Sequence, residues 1–190
     1  MTAFRVLFVC TANHCRSPIA QQLLSYCAAQ KFGSSDTWSV ESAGTDIPGP
    51  WPLHEYAAAA IGERMPQVAD HVSTNLDAAA IGRADLVLTA TRRHRSVVVS
   101  SVPAAIGRSF TILQFARLCE AVSPIPGADP GELGRQLIVD AKLARSTLQP
   151  VPGELDDLPD PMGQPMTEFR LCADRIQAAV DTILRPLRFG

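Results

Sequence analysis

A doubly wound α/β fold, a parallel sheet with helices on both faces, is predicted by three features of this 190-residue sequence. Short apolar runs recur along the chain and alternate with stretches of helical periodicity, which implies parallel strands joined by right-handed crossovers. The first run, Phe4 to Val9, is nearly continuous, as expected for a strand covered on both sides. A turn dense in polar and reactive side chains, Cys10 to Ser17, follows it directly, where open α/β sheets bind their ligands.

The elements follow in order. After the first strand, Pro18 suits the first helical position behind Ser17 as N-cap. Ile19, Leu23, Leu24 and Cys27 then share one helical face, and Gly33 closes the element. Trp38 to Ser42 reads as a second strand, Leu53 to Arg64 as an alanine-rich helix, and Asp85 to Thr89 as a third strand. Arg92 to Ser101 reads as a helix and Ser109 to Leu113 as the fourth strand. From about 123 to 159 the composition shifts to proline and glycine at both ends. Leu133, Leu137, Ala141, Ala144 and Leu148 stand between them at helical spacing, so an inserted helix is expected near 130–148. Met166 to Leu187 reads as a long final helix with Phe169, Cys172, Ile176, Val180, Ile183 and Leu187 inward. The expected architecture is one domain over 1–190, a flavodoxin-like, four-stranded, twisted parallel sheet.

Composition narrows the function classes. Hydrophobic residues are 46% and charged residues 19% of the chain, which suits a soluble globular protein. A net charge of −2 offers no basic footprint for nucleic acid, and Arg92, Arg93 and Arg95 read as a solvated face. No apolar run reaches the length of a membrane span, and the chain enters strand-like sequence without a cleavable leader. Five scattered cysteines argue against a disulfide framework, so a reducing cytoplasm is the expected compartment. Structural zinc wants about four ligands in close pairs, whereas Cys10, His14 and Cys15 have no second pair. No metal or cofactor is expected.

Nucleophilic chemistry fits the first turn better. Arg16 stands six positions after Cys10, at the threshold of a helix. A loop of that length can curl its backbone N–H groups inward as an anion-binding nest, and the helix N-terminus adds its positive end. Arg16 can grip two oxygens of a phosphate with a planar fork. The same field favours the thiolate of a cysteine set beneath it, an activated nucleophile for phosphoryl transfer. A buried structural cysteine beside a surface arginine is the plain alternative.

The stretch Val9-Cys10-Thr11-Ala12-Asn13-His14-Cys15-Arg16-Ser17-Pro18 resembles the low-molecular-weight protein tyrosine phosphatases. The resemblance runs from Phe4 to Leu187, interrupted by 123–159. Ser42-Ala43-Gly44-Thr45, Asp70-His71, Ala84 to Leu88 and Asp160-Pro161-x-Gly163 extend it. It implies a phosphate-binding loop of Thr11, Ala12, Asn13, His14, Cys15, Arg16 and Ser17, with Cys10 as nucleophile and Arg16 as transition-state clamp. Asp160 would be the general acid and base, and Asp156 and Asp157 are nearby competitors for that role. Ser17 would support the Cys10 thiolate. Asn13, Ser17, Ser42 and His71 would brace the loop, and Cys15 would trap oxidised Cys10 reversibly. The implied substrates are phosphorylated proteins or small phosphomonoesters, with phosphotyrosine the default, handled by a monomer or weak homodimer.

Departures from the family pattern touch substrate choice. Ala12 stands where glycine is usual, at a cost if that backbone needs positive φ. His14 replaces a residue that is commonly aliphatic, or threonine in related protein arginine phosphatases. Met162 and Gly163 replace tyrosines that pack against an aromatic substrate. Trp51 could line the cleft or sit in the core. Protein arginine phosphatase is the alternative activity. A thiol-relay arsenate reductase of the same fold is less favoured, because Cys27, Cys119 and Cys172 show no clustered spacing.

Overall fold

The computed structural model describes residues 3–146, 148–149 and 151–190. In chain order the elements are β1 (Phe4–Cys10), α1 (Arg16–Phe32), β2 (Trp38–Gly44), α2 (Glu55–Gly62), α3 (Ala78–Arg83), β3 (Leu86–Thr89) and α4 (Arg92–Ser101). A 3₁₀ turn at Pro103–Arg108 leads to β4 (Ser109–Thr111) and α5 (Ile112–Cys119), then β5 (Ile125–Gly127) and α6 (Pro130–Ala144). A second 3₁₀ turn at Gly153–Asp156 precedes α7 (Met166–Leu184) and β6 (Leu187–Phe189).

The main sheet has the order β2-β1-β3-β4, and all its pairs are parallel. The chain steps from β1 to one side for β2 and to the other for β3. The loop after β1 therefore lies at the switch point where ligands enter such sheets. Alternation along β1 builds two layers. Phe4, Val6 and Phe8 face a core filled by α1, α2, α5, α6 and α7, while Leu7 and Val9 face Ile81, Val98 and Ala105. Phe4 and Phe8 are fully buried, each contributing about 1.5–3 kcal/mol by removal from water.

The segment between 123 and 159 is part of this core. Leu133, Leu137 and Ala141 of α6 are buried, and Trp38 Nε1 donates to Pro130 O at 2.8 Å. A Cβ at Gly134 would lie 2.7 Å from the Phe4 ring, so the helix rests directly on β1. Position 147, inside the helix expected near 130–148, lies outside the described residues.

Several element boundaries differ from the sequence expectation. The fourth strand stops at Thr111, whose hydroxyl accepts from Gln114 N at 3.1 Å and caps α5, so Ile112 and Leu113 are helical. The final helix ends at Leu184, and Leu187 instead pairs with Ile125 in a small β5-β6 sheet. Helix α1 begins at Arg16, with Cys15 at the N-cap position and no side-chain cap. Ser17 is inside the first turn, and its hydroxyl is engaged by the preceding loop instead. Among the described residues no helix is long and apolar enough to cross a membrane.

Candidate active site

The loop from Cys10 to Arg16 is turned so that its carbonyls face outward. Thr45 N donates to Cys10 O and Asp46 N to Thr11 O, each at 3.0 Å. His71 Nε2 donates to Asn13 O at 2.7 Å and His54 N to His14 O at 3.0 Å. In a trans peptide the N–H points opposite to the C=O, so the amides of Thr11, Ala12, His14 and Cys15 face the loop interior. That is the concave nest that binds anions.

Asn13 makes this turn possible. Its φ of +50° is the sole left-handed value outside glycine among the described residues, and asparagine tolerates that region. Its side chain is buried and fully used: Nδ2 donates to Ser17 Oγ at 3.0 Å and to Ser42 Oγ at 2.8 Å, and Oδ1 accepts Thr74 N at 2.8 Å. Ser42 Oγ in turn donates to Gln21 Oε1 at 2.6 Å. The strain anticipated at Ala12 is thus absent, because the left-handed residue is the next one.

Gly44 braces the same loop by close approach. A Cβ there would lie 2.4 Å from Thr11 O and 2.9 Å from Asn13 N, both backbone atoms. Gly44→Ala is expected to cost about 1–3 kcal/mol of stability by overpacking and to weaken inhibition by inorganic phosphate. Urea unfolding and a phosphate inhibition constant check this; wild-type values for both would show that the loop is not held by this contact.

Cys10 Sγ lies 3.0 Å from Ser17 Oγ and is 2% exposed at the floor of the nest. Ser17 Oγ accepts from Asn13 Nδ2 and lies within reach of both the sulfur and Ala43 O, the latter at 3.5 Å. Arg16 is also buried; Nη1 donates to Leu158 O at 3.3 Å, Nη2 to Thr11 Oγ1 at 3.4 Å, and Nη2 forms an ion pair with Asp160 Oδ2. Arg16 Nε is buried with no hydrogen-bond partner among the described residues. Of the three carboxylates considered from sequence, Asp160 alone reaches Arg16. Asp157 pairs with Arg92 at 3.1 Å and the buried Asp156 with Arg117 at 2.9 Å.

A strand-end thiol on a loop of inward amides, and a buried arginine on the same loop paired with a carboxylate, invite comparison with known proteins. The model of the low molecular weight phosphotyrosine protein phosphatase family matches residues 5–130. The chain belongs to that family. The match spans the Cys10–Arg16 loop and the chain from the second residue of β1 to the first of α6, while Asp160 and α7 lie beyond it. A protein-arginine-phosphatase of Geobacillus stearothermophilus is 25% identical over 187 residues, covering 97% of each chain. An arsenate reductase of Bacillus cereus is 35% identical over 98 residues, 52% of this chain and 66% of that one. Among solved structures, the low molecular weight protein tyrosine phosphatase of T. tengcongensis superposes with a TM-score of 0.69 at 24% identity, covering 96% of this chain and 99% of that one.

Within this low-molecular-weight phosphatase fold, the remaining cysteines divide by place. Burial and the neighbouring Cys10 push the Cys15 thiol well above its ordinary value. Cys172, isolated in sequence, is brought to the site by α7. With Asp160, Pro161, Glu168 and Arg175 it lines a cavity of about 80 Å³, and burial pushes its thiol up to about 12. Cys27 and Cys119 do not line that cavity.

One wall of the loop is aromatic. His14 Nδ1 donates to Pro52 O at 2.5 Å, and the His14 ring meets Trp51 and His54 edge-on at 5.1 Å each. His54 stacks on Phe169 of α7 at 4.6 Å, and burial followed by His14 lowers its pKa. Trp51 is 38% exposed, so it belongs to the rim and not to the core. Met162 stands beside Asp160, with its N–H donating to Asp160 Oδ1 at 3.2 Å. His71 is half-buried, and burial lowers its pKa while its bond to Asn13 O opposes that shift. Thr74, His94 and the Leu158 carbonyl, which bond the loop, and Gln21, which bonds Ser42 behind it, leave no signal in the sequence, because each joins the site only through tertiary contact.

Proposed function

We propose that this chain hydrolyses phosphorylated protein side chains through a phosphocysteine on Cys10, with phosphotyrosine as the preferred substrate class. The observation that carries this reading is the edge of Arg16. Its Nε, buried and unpartnered among the described residues, and its Nη2 lie on one side of the guanidinium, a fork matched to two phosphate oxygens.

In the first step the Cys10 sulfur attacks phosphorus, the bond from phosphorus to the leaving oxygen breaks, and Asp160 gives that oxygen its proton. Substrate phosphate takes the place of Asp160 at Nη2 and frees the carboxyl for the leaving oxygen. The inward amides and Arg16 hold the equatorial oxygens as charge spreads over them. In the second step Asp160 removes a proton from water, water oxygen bonds to phosphorus, and the Cys10 thiolate departs, supported by the Ser17 hydroxyl. Asn13, Ser42 and His71 keep the loop in its left-handed shape. The rings of His14 and Trp51 supply an apolar wall for an aryl leaving group.

A second reading, phosphoarginine, is favoured by the relative from Geobacillus stearothermophilus that matches nearly the whole chain. Arsenate reduction through a thiol relay is disfavoured, because Cys27 and Cys119 do not join Cys172 in lining the cavity at Asp160. Cys15 remains close in sequence to Cys10 as a reversible trap for its oxidised form.

Competition among phosphotyrosine, phosphoarginine and phosphoserine peptides tests the substrate class. The expected result is a kcat/KM for phosphotyrosine at least about tenfold above the others, roughly 1.4 kcal/mol of discrimination. A larger kcat/KM for phosphoarginine would replace the first reading with the second.

A further inference from the structure

His94 lies in the first turn of α4, 83 residues from the nucleophile loop in sequence and in contact with it. Its Nε2 is 2.9 Å from Thr11 Oγ1, and its Nδ1 is 2.8 Å from the hydroxyl of Thr91, the N-cap of α4. Thr11 Oγ1 also accepts from Arg16 Nη2 at 3.4 Å. A neutral ring donates through one nitrogen and accepts through the other, so in either tautomer it links the Thr11 and Thr91 hydroxyls. The result is a continuous chain of hydrogen bonds joining Thr91, the His94 ring and Thr11.

The same turn holds the Asp160 loop. Leu158 N donates to Ala90 O at 2.8 Å and Arg92 N to Asp157 Oδ1 at 2.7 Å. Leu158 O receives Arg16 Nη1 at 3.3 Å, which closes the circuit. Residues 90–94 therefore touch both loops that converge on Arg16, and His94 is the arm that reaches the nucleophile side. It is 6% exposed, and burial, then Arg16, lowers its pKa to about 4 against the opposing pull of Asp160. A charged ring beside Arg16 would oppose the fork; a neutral one does not.

We propose that His94 is a positioning residue for phosphoryl transfer: through the Thr11 hydroxyl its ring holds the Arg16 guanidinium in the plane that grips the phosphate. This rests on the roles given above to Cys10 and Arg16. A ring that only fills space would be replaceable by phenylalanine, whereas this role needs the ring nitrogen.

The test compares His94→Phe, His94→Gln, Thr11→Val and the double variant His94→Phe/Thr11→Val on p-nitrophenyl phosphate, with thermal melts alongside. His94→Phe and Thr11→Val are each expected to lower kcat by about 10–100-fold, the scale of an ångström-sized misplacement, with a smaller change in KM. The double variant is expected to fall no more than about threefold below the worse single, since both remove one connection. His94→Gln, whose amide can donate to or accept from Thr11, is expected to recover most of the loss. Additive losses, or wild-type kcat in either folded single variant, would overturn the proposal. Should His94→Phe fail to fold, the exposed and nearly isosteric Thr11→Val decides alone by the same criterion. Cys10→Ser serves as control: its inactivity beside a fully active His94→Phe rejects only this proposal, while an active Cys10→Ser rejects the mechanism beneath it.

Discussion

Cys10→Ser is expected to lower kcat/KM for p-nitrophenyl phosphate by about 10⁴-fold or more, the scale seen when a nucleophile is removed from an otherwise intact site. A serine hydroxyl in the same nest stays protonated near neutral pH and attacks phosphorus poorly. The substitution keeps the contact with Ser17 Oγ, which lies 3.0 Å from the sulfur, so the fold and phosphate affinity should persist. Steady-state kinetics with a phosphate inhibition constant separate the two effects. An inactive variant that also fails to bind phosphate would mean a collapsed loop, not a missing nucleophile.

Asp160→Asn is expected to lower kcat by about 10²–10⁴-fold, the usual contribution of a positioned general acid and base. Asp157→Asn is expected to stay within about threefold of wild type, because its carboxylate is taken by the Arg92 side chain and the Arg92 amide. Phenyl phosphates with leaving groups of graded pKa sharpen the comparison. The Asp160→Asn defect should shrink as the leaving group becomes more acidic, since a good leaving group needs no proton. If Asp157→Asn were the crippled variant, the acid role would move to Asp157.

Much of this site is legible in sequence because its chemistry is local. A strand-end cysteine, an arginine six positions on and a helix start need only a few consecutive residues: Cys10 ends β1, Arg16 opens α1, and Cys10 Sγ lies 3.0 Å from Ser17 Oγ. Strand β1 was equally legible, since burial on both faces writes a continuous apolar run from Val6 to Val9. Asp160 could be picked from its neighbours only by the proline and glycine around it; tertiary structure separates them by giving Asp156 and Asp157 their own arginines.

The rest depends on contacts that leave no local trace. The three-residue strands β5 and β6 are too short to show alternation, so Leu187 was read as the end of a helix. Ser17 reads as an N-cap by residue type, but its hydroxyl is claimed by Cys10 and Asn13. Cys172 has no partner nearby in sequence, and α7 carries it to the Asp160 loop. His94 sits in what reads as a solvated run of arginines, yet its ring is buried against Thr11. Ala12 invited an argument about strain that the fold moves one residue along, to Asn13.

The most direct measurement is acid quenching of the wild-type enzyme within its first turnovers of p-nitrophenyl phosphate in a chelating buffer, followed by peptide mapping. A phosphate joined to the Cys10 sulfur, matched by a burst of p-nitrophenol where the second step is the slower, is the expected result. A label on any other residue, or undiminished turnover in Cys10→Ser, would contradict it.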